Sequence, residues 1–270
     1  MDSVVLSDRD FGVIRDWLYR KAGIHLGDIK KTLVSGRLQK RLRQLSLTDF
    51  RAYIELLESA ENGVEHQVAI NLLTTNETYF FREKPHYDFL EQRILPDTDP
   101  RKPFKVWSAA SSTGEEAYTT AFILSRYFGK HGQWEIEGTD INTEVVEDAK
   151  RGIYPLSAAK KIPLEYLKES CVKGKGKDAG LFRIRNELRS KVNFGTLNLI
   201  NPERRLGPFD VVFLRNVLIY FSLPDKQKIV QNVIKNLKPN GWLLVGHSES
   251  ISGYDERLKQ VKAGCYHYKP

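Results

Sequence analysis

Residues 104–245 alternate short apolar runs with longer helical patterns, and this alternation limits the possible folds more than any other feature of the chain. Apolar runs begin at FKVWSAA, WEIEGTDIN, FDVVFLRNVLIYF and WLLVGHSES. The first three are followed by the helical patterns GEEAYTTAFILSRYF, TEVVEDAKRG and KQKIVQNVIKNLKPNG, and we expect Pro and Gly to close the last helix. Near-continuous apolar strands that alternate with helices are typical of a parallel sheet with helices on both faces. The sequence therefore predicts an α/β domain over residues 104–270.

The stretch of residues 165–197 interrupts this alternation. Its charges and glycines surround the apolar residues Leu181, Phe182, Ile184, Val192 and Phe194. This pattern predicts short antiparallel strands around a Gly-rich turn, outside the main sheet. We assign residues 165–191 to an inserted β-subdomain.

The N-terminal part of the chain has a different pattern. DRDFGVIRDWLYRKAG and three later segments space their apolar residues as amphipathic helices do. LPDTDPRKP then contains three prolines in nine residues, which predicts a connector. We therefore expect an all-helical domain over residues 1–73 and a connector over residues 74–103, followed by the α/β domain.

Composition excludes several classes of protein. A chain that is 41% hydrophobic and 28% charged is typical of a soluble globular protein. No run of 18 apolar residues is present, and the N-terminus has neither a basic start nor an apolar centre, so we expect no membrane span and no signal peptide. The two cysteines and six histidines do not have the spacing of a metal site. We therefore expect a cytoplasmic protein with no metal.

The positive charge of the chain is concentrated near its N-terminus. The formal net charge is +8, and residues 20–43 contain eight basic residues against one acid, a local balance of +7. Such a segment is either a solvated helix face or a surface for an acidic partner such as nucleic acid, an anionic membrane or an acidic protein.

Polar or small residues follow several of the predicted strands, where open α/β sheets bind ligands. The loop SAASSTGEEA follows the first strand and opens a helix, Asp140 ends the second strand, and Asn198 and Asn216 follow later ones. Each feature alone is also typical of a plain turn or helix cap, but their order resembles that of a nucleoside site. An NAD site would need G-x-G-x-x-G, whereas this loop has the single glycine Gly114. Two acids in the first turn of the helix favour a cationic or hydroxyl-bearing ligand over a phosphate.

The connector begins with the unusual segment TTNETYFFRE, residues 74–83. It combines Asn, Glu, Thr and Arg with three adjacent aromatic residues, which neither a linker nor a core helix requires. We interpret it as a hinge segment that closes one side of the active site. Its polar side chains are expected to face a ligand, and its aromatic side chains are expected to join the helical domain to the α/β domain.

Five motifs together resemble those of the chemotaxis receptor glutamate O-methyltransferases, the CheR family. The motifs are VWSAASSTGEEAYT, GTDIN, FLRNVLIYF, LKPNGWLLVGHSES and TTNETYFFRE, and the resemblance covers nearly the whole chain. It implies a Rossmann-like methyltransferase domain with a small antiparallel β-subdomain, preceded by an all-α domain, with a final antiparallel strand from VKAGCYHYKP. The implied enzyme uses S-adenosylmethionine to form methyl esters on glutamates of methyl-accepting chemotaxis receptors, in sensory adaptation.

The resemblance also implies roles for particular residues. Cofactor contacts are implied for Asn76, Thr78, Arg82, Glu116, Asp140, Asn198, Leu199, Asn216 and Val217. Glu116 would bind the amino group of the cofactor and Asp140 its ribose. Arg82 and Tyr220 would lie near the transferred methyl group, with Arg82 positioning the substrate carboxylate. As a structural alternative, Arg82 would only form a surface ion pair with Glu83 or Asp88.

The implied partner is the cytoplasmic helical domain of the receptors, and the enzyme is expected to be a monomer recruited to membrane receptor arrays. Lys30, Arg37, Lys40 and Arg41 would steer an acidic receptor helix to the site. Arg183, in KGKGKDAGLFRIR, marks the segment that would dock a receptor C-terminal peptide, and the resemblance leaves that trait open. Two other functions remain as alternatives, a nucleic-acid methyltransferase and a non-catalytic cofactor-binding module. The base-flipping type of motif that the first would need is missing.

Overall fold

A computed structural model describes residues 4–59, 63–129, 131–203 and 205–270. The helices are α1 (Asp8–Ala22), α2 (Lys31–Gln44), α3 (Phe50–Glu58), α4 (Gly63–Leu73), α5 (Pro85–Phe89), α6 (Glu115–Phe128), α7 (Thr143–Arg151), α8 (Leu164–Ser170), α9 (Asn186–Arg189) and α10 (Leu223–Ile234). The strands are β1 (Phe104–Ser108), β2 (Trp134–Asp140), β3 (Ile153–Pro155), β4 (Cys171–Lys173), β5 (Leu181–Ile184), β6 (Val192–Thr196), β7 (Phe209–Leu214), β8 (Leu237–Val245), β9 (Leu258–Lys262) and β10 (Cys265–Tyr268). Within the described ranges, no helix is long and apolar enough to cross a bilayer.

Helices α1 to α4 pack around a core of their own. In α1, Phe11, Ile14 and Leu18 are buried on one face, as the helical spacing of these residues requires. Ser7 caps the start of α1 through the backbone N–H of Asp10, and Gly23 ends it in a left-handed conformation. The helical part of the fold follows directly from this amphipathic pattern.

The main sheet has the strand order β6-β2-β1-β7-β8-β10-β9. Pairing is parallel from β6 through β8, and β10 is antiparallel to both β8 and β9. From β1 the chain proceeds to one side through β2 and β6, and later to the other side through β7 and β8. The carboxyl end of β1 is therefore a topological switch point, where such sheets open a ligand crevice. The predicted α/β fold and its final antiparallel strand are confirmed.

The small sheet differs from the sequence-based expectation in its membership. It contains β3, β5 and β4, so residues 153–155 also belong to it, outside the predicted range 165–191. Val192 and Phe194, expected in the same excursion, instead lie in β6, which pairs in parallel with β2 of the main sheet. Charged and polar neighbours made this edge strand resemble part of a hairpin.

The helix expected over KQKIVQNVIKNLKPNG was too long. Helix α10 ends at Ile234, and Leu237 already pairs with Phe209 as the first residue of β8. The Pro-Asn-Gly turn lies inside β8, where Asn240 has a positive φ of 63° and the pairing register shifts. These turn residues produce an irregularity in a strand, not the end of a helix.

The aromatic residues of the connector are fixed on the α/β domain, which corrects the expectation that they join the two domains. Phe80 is buried, and its ring lies 5.9 Å from that of Phe122 in α6 and 4.9 Å from that of Tyr154 in β3. Phe81 packs on Tyr87 and Tyr166. The connector is therefore part of the α/β domain and its small sheet.

Polar contacts and a close backbone approach join the helical domain to the α/β domain instead. Asn142, which caps α7, donates hydrogen bonds to the Asn71 carbonyl and the Thr74 hydroxyl. On the other side of the interface, Gly23 at the end of α1 lies against Ile200, and a Cβ on Gly23 would be 1.8 Å from Ile200 Cδ1.

This close approach makes Gly23 a test of domain packing. Gly23→Ala combines a strained φ of +71° with an overlap, so the free energy of unfolding should fall by about 1–3 kcal/mol more than in Gly253→Ala. Gly253 is the control because its φ is +82° and no atom lies within 4 Å of its added Cβ. Denaturant unfolding measures both variants. An equal decrease in the free energy of unfolding for the two variants would show that the Ile200 side chain moves away from the added methyl group at little cost.

Candidate active site

A cavity of about 440 Å³ opens at the carboxyl ends of β1, β2, β6 and β7. Three parts of the chain line it: the α1–α2 segment of the helical domain, the connector, and the loops that follow the strands. From the sequence, the helical domain was expected to contribute only to partner binding. In the structure, this domain forms one wall of the cavity, through residues such as Ile24, Leu26 and Leu33.

The structure brings all of the predicted cofactor residues to this one cavity. Its lining includes Asn76, Thr78, Arg82, Glu116, Asp140, Asn198, Leu199, Asn216 and Val217. Tyr220 and Lys30 also line it. These residues come from six separate stretches of the chain, so their convergence is a consequence of the fold and not of sequence proximity. Their individual roles toward a cofactor stay predictions.

The loop after β1 is held to its neighbours through backbone hydrogen bonds. Asp140 accepts hydrogen bonds from the backbone N–H groups of Ser112, at 2.9 Å, and Asn142, at 3.0 Å. The Ser112 hydroxyl donates to the Asn76 carbonyl at 2.8 Å, which fastens the connector to the same loop. Burial raises the pKa of the Asp140 carboxyl, and the two N–H donors oppose this. Asp140 is thereby fixed at the cavity wall.

Arg215 is the centre of a buried ion network beside the cavity. Its Nη1 lies 2.9 Å from Glu116 Oε2, and its Nη2 lies 3.2 Å from Glu83 Oε2. The same guanidinium donates to the Tyr87 hydroxyl at 3.2 Å and to the Arg82 carbonyl. One guanidinium against two carboxylates leaves a net charge of −1 when both acids are ionised. A cationic group on the ligand would complete the network, because buried charges require partners.

Glu116 retains capacity for such a ligand group. Its Oε1 accepts the Ser108 hydroxyl at 2.7 Å, and its Oε2 accepts Arg215. Since each carboxylate oxygen accepts about two hydrogen bonds, further acceptor capacity remains. Burial raises the pKa of the Glu116 carboxyl, and the charge of Arg215 opposes this.

Arg215 lies within the motif FLRNVLIYF, but no role was predicted for it from the sequence. The signal that could have identified it is an arginine directly after a strand of buried apolar residues, because such a charge must find partners inside the protein. Its partners Glu83 and Tyr87 lie far away in the sequence, in the connector. Pattern analysis could not show that these residues meet.

Arg82 is presented to the cavity by a strained turn. Phe81 and Glu83, which flank it, have positive φ angles of 57° and 54°. The Arg82 side chain donates to the Glu77 carbonyl at 2.5 Å, so the alternative of an ion pair with Glu83 or Asp88 is wrong. Glu83 instead pairs with Arg215, and Asp88 pairs with Lys84.

Tyr220 lines the same cavity as Arg82. Burial raises the pKa of Tyr220, and the positive charge of Arg82 opposes this shift. The phenol therefore keeps its proton at neutral pH and is able to donate a hydrogen bond into the cavity.

The carboxylate of Glu83 also lies close to two histidines, and the ligand atoms of Glu83, His86 and His247 are within 4.8 Å of one another. The Glu83 oxygens already accept hydrogen bonds from Arg215, Asn216 and the backbone N–H of His247. Burial lowers the pKa of His86 to about 3, so its ring is neutral. A cation here would compete with Arg215 for Glu83, and we therefore interpret the cluster as part of the ion network.

The predicted docking residues divide into two groups. Arg37 donates to the carbonyls of Leu73 and Thr74, and Arg41 pairs with the buried Glu65 at 2.5 Å. These two arginines are used inside the helical domain and at the start of the connector. By contrast, Lys30, Lys40 and Arg183 are exposed; Lys30 lies at the cavity, and Arg183 lies in β5 of the small sheet.

The ion network predicts an unusual sensitivity to loss of Arg215. Arg215→Met leaves Glu83 and Glu116 buried without their cation, so the free energy of unfolding should fall by about 3–5 kcal/mol. Arg126→Met is the control, because Arg126 pairs with Glu165 at 3.8 Å and both side chains are 50% exposed. That change should cost about 1 kcal/mol or less. Similar losses in denaturant unfolding of the two variants would contradict the network's importance.

Both parts of the chain match models of one protein family. Residues 9–74 match the CheR methyltransferase all-alpha domain, and residues 76–267 match the CheR methyltransferase SAM binding domain. A chemotaxis protein methyltransferase of Escherichia coli strain K12 is 42% identical over 261 residues, which cover 95% of this chain and 90% of the relative. Chemotaxis protein methyltransferase 2 of Pseudomonas aeruginosa is 38% identical over 259 residues, which cover 95% and 92%. The chain therefore belongs to the CheR methyltransferase family and is an S-adenosylmethionine-dependent methyltransferase.

Proposed function

We propose that this enzyme transfers the methyl group of S-adenosylmethionine to glutamate side chains of chemotaxis receptors and thereby forms methyl esters. One observation supports this most directly. A single cavity contains the carboxylates of Asp140 and Glu116, which suit a cationic nucleoside, together with Arg82 and Tyr220, which suit an incoming carboxylate.

We place the cofactor by the chemistry of the lining. Asp140 would accept the ribose hydroxyls, and Glu116 would bind the α-ammonium group. Asn198 and Leu199 would contact the adenine end. Asn216 and Val217, with Asn76 and Thr78 of the connector, would line the amino-acid end. When Glu83 and Glu116 are both ionised, the net charge of −1 around Arg215 supports this orientation, since it favours the ammonium group at that end of the cavity.

The reaction requires positioning and no general base. A glutamate carboxylate is ionised at neutral pH, because its reference pKa is about 4.3. One of its oxygens forms a bond to the methyl carbon while the carbon–sulfur bond breaks, and that electron pair stays on sulfur. The products are a neutral ester and S-adenosylhomocysteine. The enzyme accelerates the reaction by placing oxygen, carbon and sulfur in line. Such orientation lowers the activation free energy by at most about 7–11 kcal/mol.

Arg82 and Tyr220 would perform this positioning. A guanidinium holds a carboxylate through two parallel hydrogen bonds and is permanently protonated, so Arg82 orients the substrate without transferring a proton. Tyr220, whose phenol is neutral at pH 7, would donate one further hydrogen bond or form a wall beside the methyl group.

The receptor would approach over the exposed basic residues of the helical domain. Lys30 and Lys40 are exposed and suit electrostatic steering, whereas Arg37 and Arg41 would act indirectly, by holding the connector and α4. Arg183 on the small sheet would meet a receptor C-terminal peptide, where the receptor has one. The enzyme would act as a cytoplasmic monomer recruited to membrane receptor arrays.

Methyl transfer from labelled S-adenosylmethionine to purified receptor cytoplasmic fragments tests the function. We expect base-labile label on the receptor fragment, because carboxyl methyl esters hydrolyse in base and methylated amines do not. Label on RNA or DNA alone would contradict the proposal. Cofactor binding without transfer to any of these acceptors would favour a non-catalytic module.

Arg82→Ala should separate positioning from cofactor binding. We expect kcat for the receptor fragment to fall by about 100-fold, because the substrate carboxylate loses its alignment. The dissociation constant for the cofactor, measured by calorimetry, should change far less. Arg101→Ala is a control, since Arg101 is exposed, does not line the cavity and pairs with the nearby Asp99 at 2.9 Å. An unchanged kcat in Arg82→Ala, or an equal loss of cofactor affinity, would remove the positioning role.

A further inference from the structure

The exposed residues of the cavity lining define its mouth. They are His25, Ile29, Lys30, Thr75, Glu77 and Ile219. Two of them are large apolar residues: Ile29 is 90% exposed and Ile219 is 53% exposed. Most of the apolar surface of these two side chains is therefore still available for burial against something outside the cavity.

The two isoleucines come from different domains. Ile29 lies in the turn between α1 and α2, and Ile219 lies in the short helical turn Leu218–Tyr220. The backbone N–H of His25 donates to the Tyr220 carbonyl at 2.8 Å, which ties the two segments together. The backbone N–H of Ile219 also donates to Glu249 at 3.3 Å. These contacts anchor the backbone of both segments at the cavity mouth, and the two exposed isoleucine side chains there are called the rim.

The geometry of a helical substrate explains why such a rim would be useful. A glutamate that extends into the cavity requires its helix to lie across the mouth. Side chains three and four residues away lie on the same helix face as the glutamate. They must therefore meet the rim of the cavity while the carboxylate reaches Arg82 and Tyr220 inside.

We propose that Ile29 and Ile219 form an apolar rim that binds the side chains one helical turn from the methyl-accepting glutamate. This inference rests on the proposed function. The selected partner is an amphipathic receptor helix with apolar residues three or four positions from the glutamate. Lys30, next to Ile29, adds a cation that suits further acidic side chains on that helix. The rim thus favours those receptor glutamates that have an apolar residue one helical turn away.

Steady-state kinetics with the receptor fragment tests the rim. In Ile29→Ser and Ile219→Ser, KM for the fragment should rise by about tenfold, as expected for loss of one well-buried apolar side chain at an interface. Cofactor affinity measured by calorimetry should stay near that of the unaltered enzyme. Val64→Ser is the matched control, because Val64 is 80% exposed in the same helical domain and does not line the cavity.

A second arm changes the receptor. Serine in place of the apolar residue one turn from the accepting glutamate should also raise KM. This receptor change is then combined with Ile29→Ser or with Ile219→Ser. For the isoleucine that contacts the altered receptor residue, the combined rise in KM should be little larger than that of either change alone, because both changes remove the same contact. Fully additive effects for both isoleucines would overturn the proposed contact.

Two results separate this inference from the proposed function. Direct binding of the fragment, measured by fluorescence anisotropy, reports on the rim even where no methyl is transferred. If both isoleucine variants bind and turn over the fragment as Val64→Ser does, the rim proposal is wrong while methylation of the receptor stands. If the unaltered enzyme leaves the fragment unlabelled, the proposed function fails. In that case the rim proposal is supported only if the isoleucine variants still weaken binding of the fragment, and it is wrong otherwise.

Discussion

The buried guanidinium of Arg215 is the interaction on which the site depends. It extends from the end of β7 and contacts Glu116 at the start of α6 and Glu83 in the connector. Without it, two carboxylates would lie near each other in a region of low dielectric, where like charges repel strongly. With it, the connector is joined to the sheet, and the remaining negative charge faces the cavity. In the proposed placement of the cofactor, the atoms of this ion network also form the site for its ammonium group.

The helical domain contributes to the cavity wall as well as to the basic surface. Ile24, Leu26 and Leu33 line the cavity from this side, and the His25 N–H bonds to the Tyr220 carbonyl. A receptor that docks on this domain, as proposed, would therefore contact the same element that forms the cavity wall. The proposed sites for the receptor and for the cofactor would then be connected by one continuous structural element.

Sequence patterns predicted the elements that follow local rules and missed those set by long-range contacts. The apolar strands and the amphipathic α1 follow from spacing, and polar residues such as Asp140 and Asn216 could be placed at strand ends because parallel strands share one edge. The place of β6 in the sheet and the start of β8 could not be predicted, because pairing with distant strands decides both. The role of Arg215 required knowledge that Glu83 lies beside it. The motifs supplied the family, and the family supplied most of the predicted site residues.

The turn around Arg82 shows how these long-range contacts determine a local structure. Positive φ angles at Phe81 and Glu83 are unfavourable for residues with side chains, at about 1–3 kcal/mol each. Phe81 is held by ring contacts with Tyr87 and Tyr166, and Glu83 is held by its pair with Arg215. Arg215 also donates to the Arg82 carbonyl, between the two strained residues. The conformation that directs Arg82 into the cavity is thus maintained by the sheet and the small β-subdomain, against the preference of the turn itself. This explains why the segment has an aromatic residue, Phe81, before Arg82 and an acid, Glu83, after it.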